Sequence, residues 1–121
     1  MHDGGDKNKE EKIEKLKRYF EDRKDVAMAF LFGSQAKGYA RAVSDWDIGV
    51  YFRNEEENRE QEQEVWSAVE IITERNSDMV VLNRAPAVLA WEIIRAGQKL
   101  AINDRKNYLR ILLKTSHEAN A

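Results

Sequence analysis

The sequence predicts one α/β domain, in which a small β-sheet is flanked by α-helices. Two observations predict this class. Short, almost uninterrupted apolar runs alternate along the chain with longer segments whose apolar residues recur every three or four positions. With 121 residues, of which 42% are hydrophobic, the chain can form one modest core and not two. We therefore expect helices packed on a single sheet.

Four apolar segments are predicted to be β-strands, and they cover residues 25–33, 46–52, 78–83 and 99–102. The first, "DVAMAFLFG", is almost continuously apolar, which is typical of a strand that is buried on both faces. The last, "KLAI", is short enough to be an edge strand.

Four segments with helical spacing are predicted at 10–23, 65–74, 87–97 and 104–121. Pro86 precedes the third, Gly97 ends it, and Asp104 is a candidate cap for the fourth. The side chains expected to face the core are Ile13, Leu16 and Phe20 in the first helix, Val65, Val69 and Ile72 in the second, Leu89, Ile93 and either Val88 or Ala96 in the third, and Tyr108, Leu109, Leu112 and Leu113 in the fourth.

Charge and composition exclude several classes. Twenty Lys and Arg residues against 22 Asp and Glu residues give a net charge of −2, which does not support broad binding of nucleic acid or membranes through charge alone. The absence of cysteine excludes disulfides and thiolate metal sites. No apolar run has the length of a membrane span, and the N-terminus lacks the apolar core of a signal peptide. We expect a cytoplasmic protein, with residues 1–8 disordered and residues 9–121 forming the domain.

Two aspartates interrupt the strand "SDWDIGVYF". Because side chains alternate along a strand, Asp45 and Asp47 project from the same face. Two neighbouring carboxylates repel each other unless a cation lies between them, and oxygen ligands favour Mg²⁺ or Mn²⁺. The alternative is an exposed face of an antiparallel strand, where paired acids are tolerated. Asp78 opens the next strand and is a candidate third ligand if the two strands are neighbours; otherwise it is an ordinary aspartate at a strand edge.

The turn after the first strand is a candidate phosphate site. Gly33 and Ser34 lie where a strand is expected to pass into a helix, and such a turn presents free backbone N–H groups to an anion. Glycine lets a phosphate approach the backbone closely. A tight turn with a serine cap is the simpler interpretation of these two residues alone. Lys37 is a candidate for offsetting charge on a phosphate, although a surface lysine is the ordinary alternative.

These residues together carry a resemblance to a known superfamily. "GSQAKGYARAVSDWD" resembles the G-S-x10-D-x-D motif of the DNA polymerase β-like nucleotidyltransferases. The longer stretch "FGSQAKGYARAVSDWDIGV" resembles the minimal nucleotidyltransferases, or MNT (MntA-type) antitoxins, which are partners of HEPN-domain toxins. "DMVVLNRAPAVLAWEIIRAGQKLA" also resembles the later part of those proteins, so that the likeness covers about residues 13–112.

The resemblance implies a mixed sheet flanked by helices, with ATP as substrate and two Mg²⁺ ions as cofactors. It implies that Asp45, Asp47 and Asp78 are the catalytic, metal-binding carboxylates, and that Gly33 and Ser34 hold the triphosphate. One departure concerns Val81, because relatives often carry a second acid at this position, three residues after the third carboxylate.

The resemblance further implies an enzyme that transfers AMP from ATP to a tyrosine hydroxyl of a HEPN ribonuclease and so neutralises this toxin. The chain has no second domain that would form a pocket for a small acceptor, which favours an acceptor on another protein. Trp66, Trp91 or the last helix are candidates for the docking surface, although each also suits a core. Two alternatives stay open: a non-catalytic antitoxin that acts by complex formation, and a small-molecule nucleotidyltransferase completed by a helical partner subunit.

Overall fold

The computed structural model describes residues 3–33 and 46–120. The elements in these ranges are, in chain order, α1 (Asp3–Asp22), β1 (Val26–Phe32), β2 (Trp46–Phe52), α2 (Arg59–Thr73), β3 (Ser77–Val81), a short 3-10 helix (Leu82–Arg84), α3 (Ala87–Ala96), β4 (Gln98–Ile102) and α4 (Arg105–Ala119). Within the described part of the chain, no helix is long and apolar enough to cross a membrane.

The described strands form one mixed sheet in the order β3-β2-β1-β4. β1 pairs antiparallel with both β2 and β4, whereas β2 pairs parallel with β3. A parallel pair needs a crossover connection, and α2 provides it between β2 and β3. The predicted α/β class with a small mixed sheet is therefore confirmed, and so is the prediction that residues 99–102 belong to an edge strand.

The core has two parts, one on each face of the sheet. On one face, apolar residues of α1 and α2 pack on β1 and β2; the helix residues in this cluster are Ile13, Leu16, Phe20, Val65 and Val69. On the other face, α3 and α4 pack on alternate residues of the same strands; the helix residues in this cluster are Ala90, Ile93, Ile94 and Ile111. Since β1 is covered on both sides, its run of apolar residues is buried, as predicted.

The first helix begins further upstream than its predicted start. α1 begins at Asp3, whereas the spacing of apolar residues predicted a helix from Glu10. Apart from Gly4 and Gly5, the segment between these two positions contains residues that a helix tolerates, and it lacks proline, so that nothing in it stops a helix from extending upstream of Glu10. The division into a terminal segment and one domain over residues 9–121 stays a prediction.

Helix orientation corrects part of the predicted core. Ile93 is buried as predicted, whereas Val88 and Leu89 are 61% and 39% exposed, and α3 buries Ala90 and Ile94 in their place. In α4, Ile111 and Thr115 are buried, whereas Leu109 and Leu113 are 45% and 65% exposed. Both helices have apolar residues around more than half of their circumference, so that the spacing of apolar residues alone does not identify the buried face.

The ends of the elements follow local chemistry. The Asp104 side chain accepts a hydrogen bond from the Asn107 amide, as its predicted role of cap requires. Pro86 lies just before α3, where its missing N–H costs no helical hydrogen bond. The third strand is shorter than predicted because the chain turns into the 3-10 helix at Leu82.

Candidate functional site

Asp47 and Asp78 lie side by side on one face of the sheet. In the parallel pair of β2 and β3, the two residues are directly opposite each other. Opposite residues of paired strands project from the same face, and neighbouring strands are about 4.8 Å apart, so that the two carboxylates can reach one ligand. Asp47 is half-buried and Asp78 is exposed. The predicted approach of Asp78 to the second strand is therefore found in the structure.

Gly33 lies against the carboxylate of Asp47. It follows the last residue of β1, Phe32, which is opposite Asp47 in the antiparallel pair of β1 and β2. The φ angle of Gly33 is +78°, a left-handed conformation that favours glycine. A Cβ added at this position would be 2.2 Å from Oδ2 of Asp47. The chain therefore leaves β1 in contact with the carboxylate, and this contact requires a residue without a side chain.

Three adjacent strands thus bring Gly33, Asp47 and Asp78 together at one level of the sheet. Ser34, Lys37 and Asp45, the other predicted site residues, lie outside the described residues. Among the described residues, no group of three His, Cys, Asp or Glu side chains could hold a metal ion. Asp47 and Asp78 nevertheless provide oxygen ligands from two strands, and such a set fits Mg²⁺.

The packing of α3 determines how this face is covered. Gly49, two residues after Asp47, lies under α3, and a Cβ at Gly49 would be 2.8 Å from Cγ2 of Ile93. α3 therefore approaches the backbone of β2 closely on the face from which Asp47 and Asp78 project. Asp47 and Asp78 lie at the start of β2 and β3, two residues before the level of this contact, and Asp78 is exposed.

A cleft of about 450 Å³ adjoins Gly33 on the same face. It lies between the end of β1 and the outer side of α3, and its lining residues are Phe32, Gly33, Leu89, Glu92, Ile93, Arg95 and Ala96. At its rim Arg95 donates hydrogen bonds of 2.9 Å to both carboxylate oxygens of Glu92. The sequence interpretation missed the lining residues on α3, because it turned Leu89 and Ala96 toward the core. The spacing of Glu92 and Arg95 was the one signal in the sequence for the rim of this cleft, because oppositely charged residues three positions apart in a helix lie next to each other.

A second groove, of about 470 Å³, lies on the other side of β3. Met79 and Val81 line it, and these side chains alternate with Asp78 along the strand. Arg84 at its rim has its pKa raised by a hydrogen bond to Glu62, with burial opposing this effect. Because Met79 and Val81 project from the opposite face of the sheet to Asp47 and Asp78, we assign the site to the face that carries the two acids, where the cleft beside Gly33 also lies.

Trp66 and Trp91, which the sequence offered as docking residues, are both half-buried. The indole N–H of Trp66 donates to the carbonyl oxygen of Ser77 at 2.8 Å, and Glu70 accepts from the amide of Ser77 at 3.0 Å. These two side chains of α2 therefore cover the backbone of β3 beside Asp78. The role of Trp66 in the structure is to hold the edge strand that carries one of the two acids.

Both the sequence and the fold of this chain resemble those of known proteins. The family model "Polymerase beta, Nucleotidyltransferase" matches residues 14–106. A toxin–antitoxin structure with AMP-PNP is 25% identical, covers 88% of this chain and 82% of its own, and has a TM-score of 0.68. A mutant of the toxin–antitoxin MntA-HpeT is 26% identical, with coverages of 89% and 83% and a TM-score of 0.66.

A tri-AMPylated HEPN toxin of Shewanella oneidensis in complex with MNT antitoxin shares the fold, with 24% identity, coverages of 93% and 83% and a TM-score of 0.61. No curated protein matches the chain. The superfamily that the G-S and D-x-D motifs indicated is confirmed, and the solved neighbours agree with the MNT resemblance. Because the family model covers most of its length, the chain belongs to the polymerase β nucleotidyltransferase family.

Proposed function

We propose that this protein transfers AMP from ATP, with Mg²⁺, to a tyrosine hydroxyl of a partner HEPN ribonuclease, and thereby neutralises that toxin. The observation that carries the proposal is the convergence of Gly33, Asp47 and Asp78 from three adjacent strands. Nucleotidyl transfer needs carboxylates for a divalent ion and a close backbone approach for phosphates, and this convergence offers both.

The donor set at the site fits Mg²⁺, because two carboxylates on neighbouring strands share one face of the sheet, and carboxylate oxygens are ligands of this ion. Asp47 and Asp78 would hold it, together with Asp45. When bound, Mg²⁺ neutralises phosphate charge and lowers the pKa of a coordinated hydroxyl. Gly33 has no side chain, and the carboxylate of Asp47 lies where its Cβ would be, so that the backbone of Gly33 and this acid are in close contact.

The protein's own residues then have distinct roles in the transfer. The tyrosine oxygen forms a bond to the α-phosphorus of ATP, and the bond between this phosphorus and the bridging oxygen of pyrophosphate breaks. Asp78, which is exposed, accepts the phenolic proton on its carboxylate. Ser34 and Lys37 hold the β- and γ-phosphates in this proposal, beside Gly33.

The acceptor is proposed to be on a protein because of the shape of the site. Among the described residues, α3 is the helix that lines the cleft beside Gly33, and its lining residues Leu89, Glu92 and Arg95 are exposed. A partner protein can approach this cleft and complete its wall. The neighbours that contain a toxin and an antitoxin support a partner of the HEPN class, and the AMP-PNP and AMPylated complexes support adenylyl transfer.

Incubation with ATP labelled at the α-phosphate, Mg²⁺ and the HEPN protein encoded beside this chain tests the proposal. We expect label on a toxin tyrosine, loss of toxin ribonuclease activity, and no label with Asp47→Asn or Asp78→Asn. Asp22→Asn is the matched control, because Asp22 is exposed at the end of α1 and should transfer AMP normally.

Two outcomes would overturn the proposal. Silencing of the toxin by complex formation without any label would make the protein a non-catalytic antitoxin. Transfer of label to a small hydroxyl compound, and not to the toxin, would make it a small-molecule nucleotidyltransferase that a helical subunit completes.

A further inference from the structure

The outer side of α4 carries an exposed pair of leucines. Leu109 and Leu113 are 45% and 65% exposed, and their spacing of four residues puts them next to each other on one side of the helix. The opposite side, with Ile111 and Thr115, is buried against the sheet and α3. The helix is thus fixed to the domain, and its outer side presents two leucines to the surroundings.

Four exposed cations flank these leucines, and they are Arg105, Lys106, Arg110 and Lys114. At 100° per residue, all four lie on the same half of the helix as Leu109 and Leu113. Among the residues that the structure describes, none of the four forms an ion pair, whereas Arg23, Arg53, Arg84 and Arg95 do. α4 has only one carboxylate, Glu118, although the whole chain has a net charge of −2.

The stability of the helix does not explain this charge. Arg105 and Lys106 are the first two residues of α4, and its first turn has no acid. The first turn is the positive end of the helix dipole, where cations are unfavourable. These side chains therefore oppose helix formation slightly, and neutralisation by carboxylates from outside the chain would remove that cost.

We propose that the α4 face, defined as Arg105, Lys106, Leu109, Arg110, Leu113 and Lys114, binds an acidic amphipathic helix of a partner protein. Two leucines at helical spacing match an apolar stripe on such a helix, and the flanking cations match carboxylates beside the stripe. The identification of this partner as the HEPN toxin rests on the proposed function. The expectation of an acidic amphipathic helix rests only on the chemistry of the α4 face. The α4 face then holds the toxin while the tyrosine enters the cleft.

The composition of the face favours a protein over RNA or a membrane. It exposes leucines and no aromatic ring, and stacking on aromatic rings is the usual source of affinity for single-stranded RNA. The broad apolar side of α4 is already buried in the domain, so that only two leucines remain to enter a bilayer.

Charge reversal in the full chain tests the proposal. With the purified HEPN partner, Arg110→Glu/Lys114→Glu should raise the dissociation constant of the complex roughly 10- to 100-fold. It should raise KM for the toxin similarly, and leave the affinity for ATP unchanged. The matched control is Lys12→Glu/Lys15→Glu, which makes the same charge change on α1 and should leave the complex intact.

The leucines are tested separately from the cations. Leu109→Gln/Leu113→Gln should weaken the complex at every salt concentration. The effect of the charge reversal should instead diminish as the salt concentration rises from about 50 to about 500 mM, because salt screens exposed ion pairs. Both leucines are largely exposed, so that the variants should melt close to the parent temperature.

The failure of this proposal and that of the proposed function are distinguishable. Asp47→Asn should abolish labelling of the toxin and leave the complex intact. If the parent chain does not label the toxin but the α4 variants still weaken the complex, only the proposed function fails. Unchanged toxin affinity in both α4 variants overturns the docking proposal. So does binding of an RNA oligonucleotide or of phosphatidylglycerol vesicles that the α4 variants lose while the toxin complex persists.

Discussion

Asp47 and Asp78 face each other across a parallel pair of strands, and their carboxylates share one side of the sheet. A divalent cation bound by both carboxylates would stabilise the folded protein. Asp78→Asn should melt close to the parent temperature in EDTA, because Asp78 is exposed. The same variant should lose the increase that Mg²⁺ gives the parent protein, since binding to the folded state alone adds about 2.7 kcal/mol when the ion is at 100 times its Kd.

Scanning fluorimetry in EDTA and in Mg²⁺ measures both effects. Asp22→Asn removes a carboxylate that is remote from the site in the sequence and exposed, and it serves as the control. An equal Mg²⁺-dependent shift in the parent and in Asp78→Asn would show that the ion does not bind at this acid.

Gly33→Ala should reduce both stability and activity. The left-handed backbone disfavours alanine by about 1–2 kcal/mol, and the new methyl group would displace the carboxylate of Asp47. Gly49→Ala is the matched comparison, because its methyl group meets Ile93 and not an acid. We expect both variants to melt earlier, and only Gly33→Ala to lower kcat per folded molecule. A normal kcat in Gly33→Ala would contradict the close contact with Asp47.

Asp25 should make stability depend on pH in the acidic range. Arg23 donates hydrogen bonds of 3.0 and 2.6 Å to its two oxygens, and these bonds lower the pKa of Asp25 more than burial raises it. The folded-state pKa is then below the unfolded value of about 3.9. The ion pair stabilises the folded state by roughly 1 kcal/mol, as expected for a partly exposed pair. This stabilisation is complete above the pKa of Asp25 in the unfolded state, and it is lost as the pH falls through the pKa of Asp25 in the folded state.

Urea unfolding of the parent and Asp25→Asn from pH 7 to pH 2.5 checks this dependence. The difference in free energy of unfolding should be constant between roughly pH 7 and pH 5 and shrink below about pH 4. If the difference in free energy of unfolding between the parent and Asp25→Asn grew as the pH fell, its pH dependence would be opposite to that expected, and the ion pair would be excluded as its cause.

Asn83 should be important for stability although it is outside the site. Its Oδ1 accepts from the amide of Phe52 and its Nδ2 donates to the carbonyl of the same residue, both at 2.8 Å. Asn83→Ala leaves both backbone groups without this partner at the end of β2, and should cost about 1–3 kcal/mol. Chemical denaturation measures the cost, with exposed Asn54→Ala as the control. Equal midpoints for the two variants would contradict the role of Asn83.

The sequence predicted the sheet better than the helix faces, for a physical reason. β1 is apolar throughout, and β2 has a single acid, Asp47, among apolar residues and glycine, so that few other structures suit these segments. In α4, Leu109 and Leu113 are as apolar as the buried Ile111, and only the packing of the whole domain decides which side turns inward. The prediction that Leu109 and Leu113 face the core was therefore wrong, and these two leucines form the exposed pair of the α4 face.

The site residues stay a prediction, and the structure shows how three of them are placed. The motif offered Gly33 and Asp47, and Asp78 was a candidate only if its strand is a neighbour of β2. The convergence of the three depends on the register between β2 and β3, which α2 separates in the sequence. Such long-range parallel pairing leaves no local signal. The lining of the cleft by Leu89 and Arg95 follows from the angle at which α3 crosses the sheet, which the sequence does not encode locally.

The two acids are on opposite sides of an exposed connection, residues 53–58. A chain cut between Glu55 and Glu56 would carry Gly33 and Asp47 on one fragment and Asp78 on the other. Neither fragment alone would have both carboxylates, and re-pairing of β2 with β3 would restore them together. We expect that the protein can be divided at this connection into a two-part reporter, in which recovered transfer activity measures the association of two proteins fused to the halves.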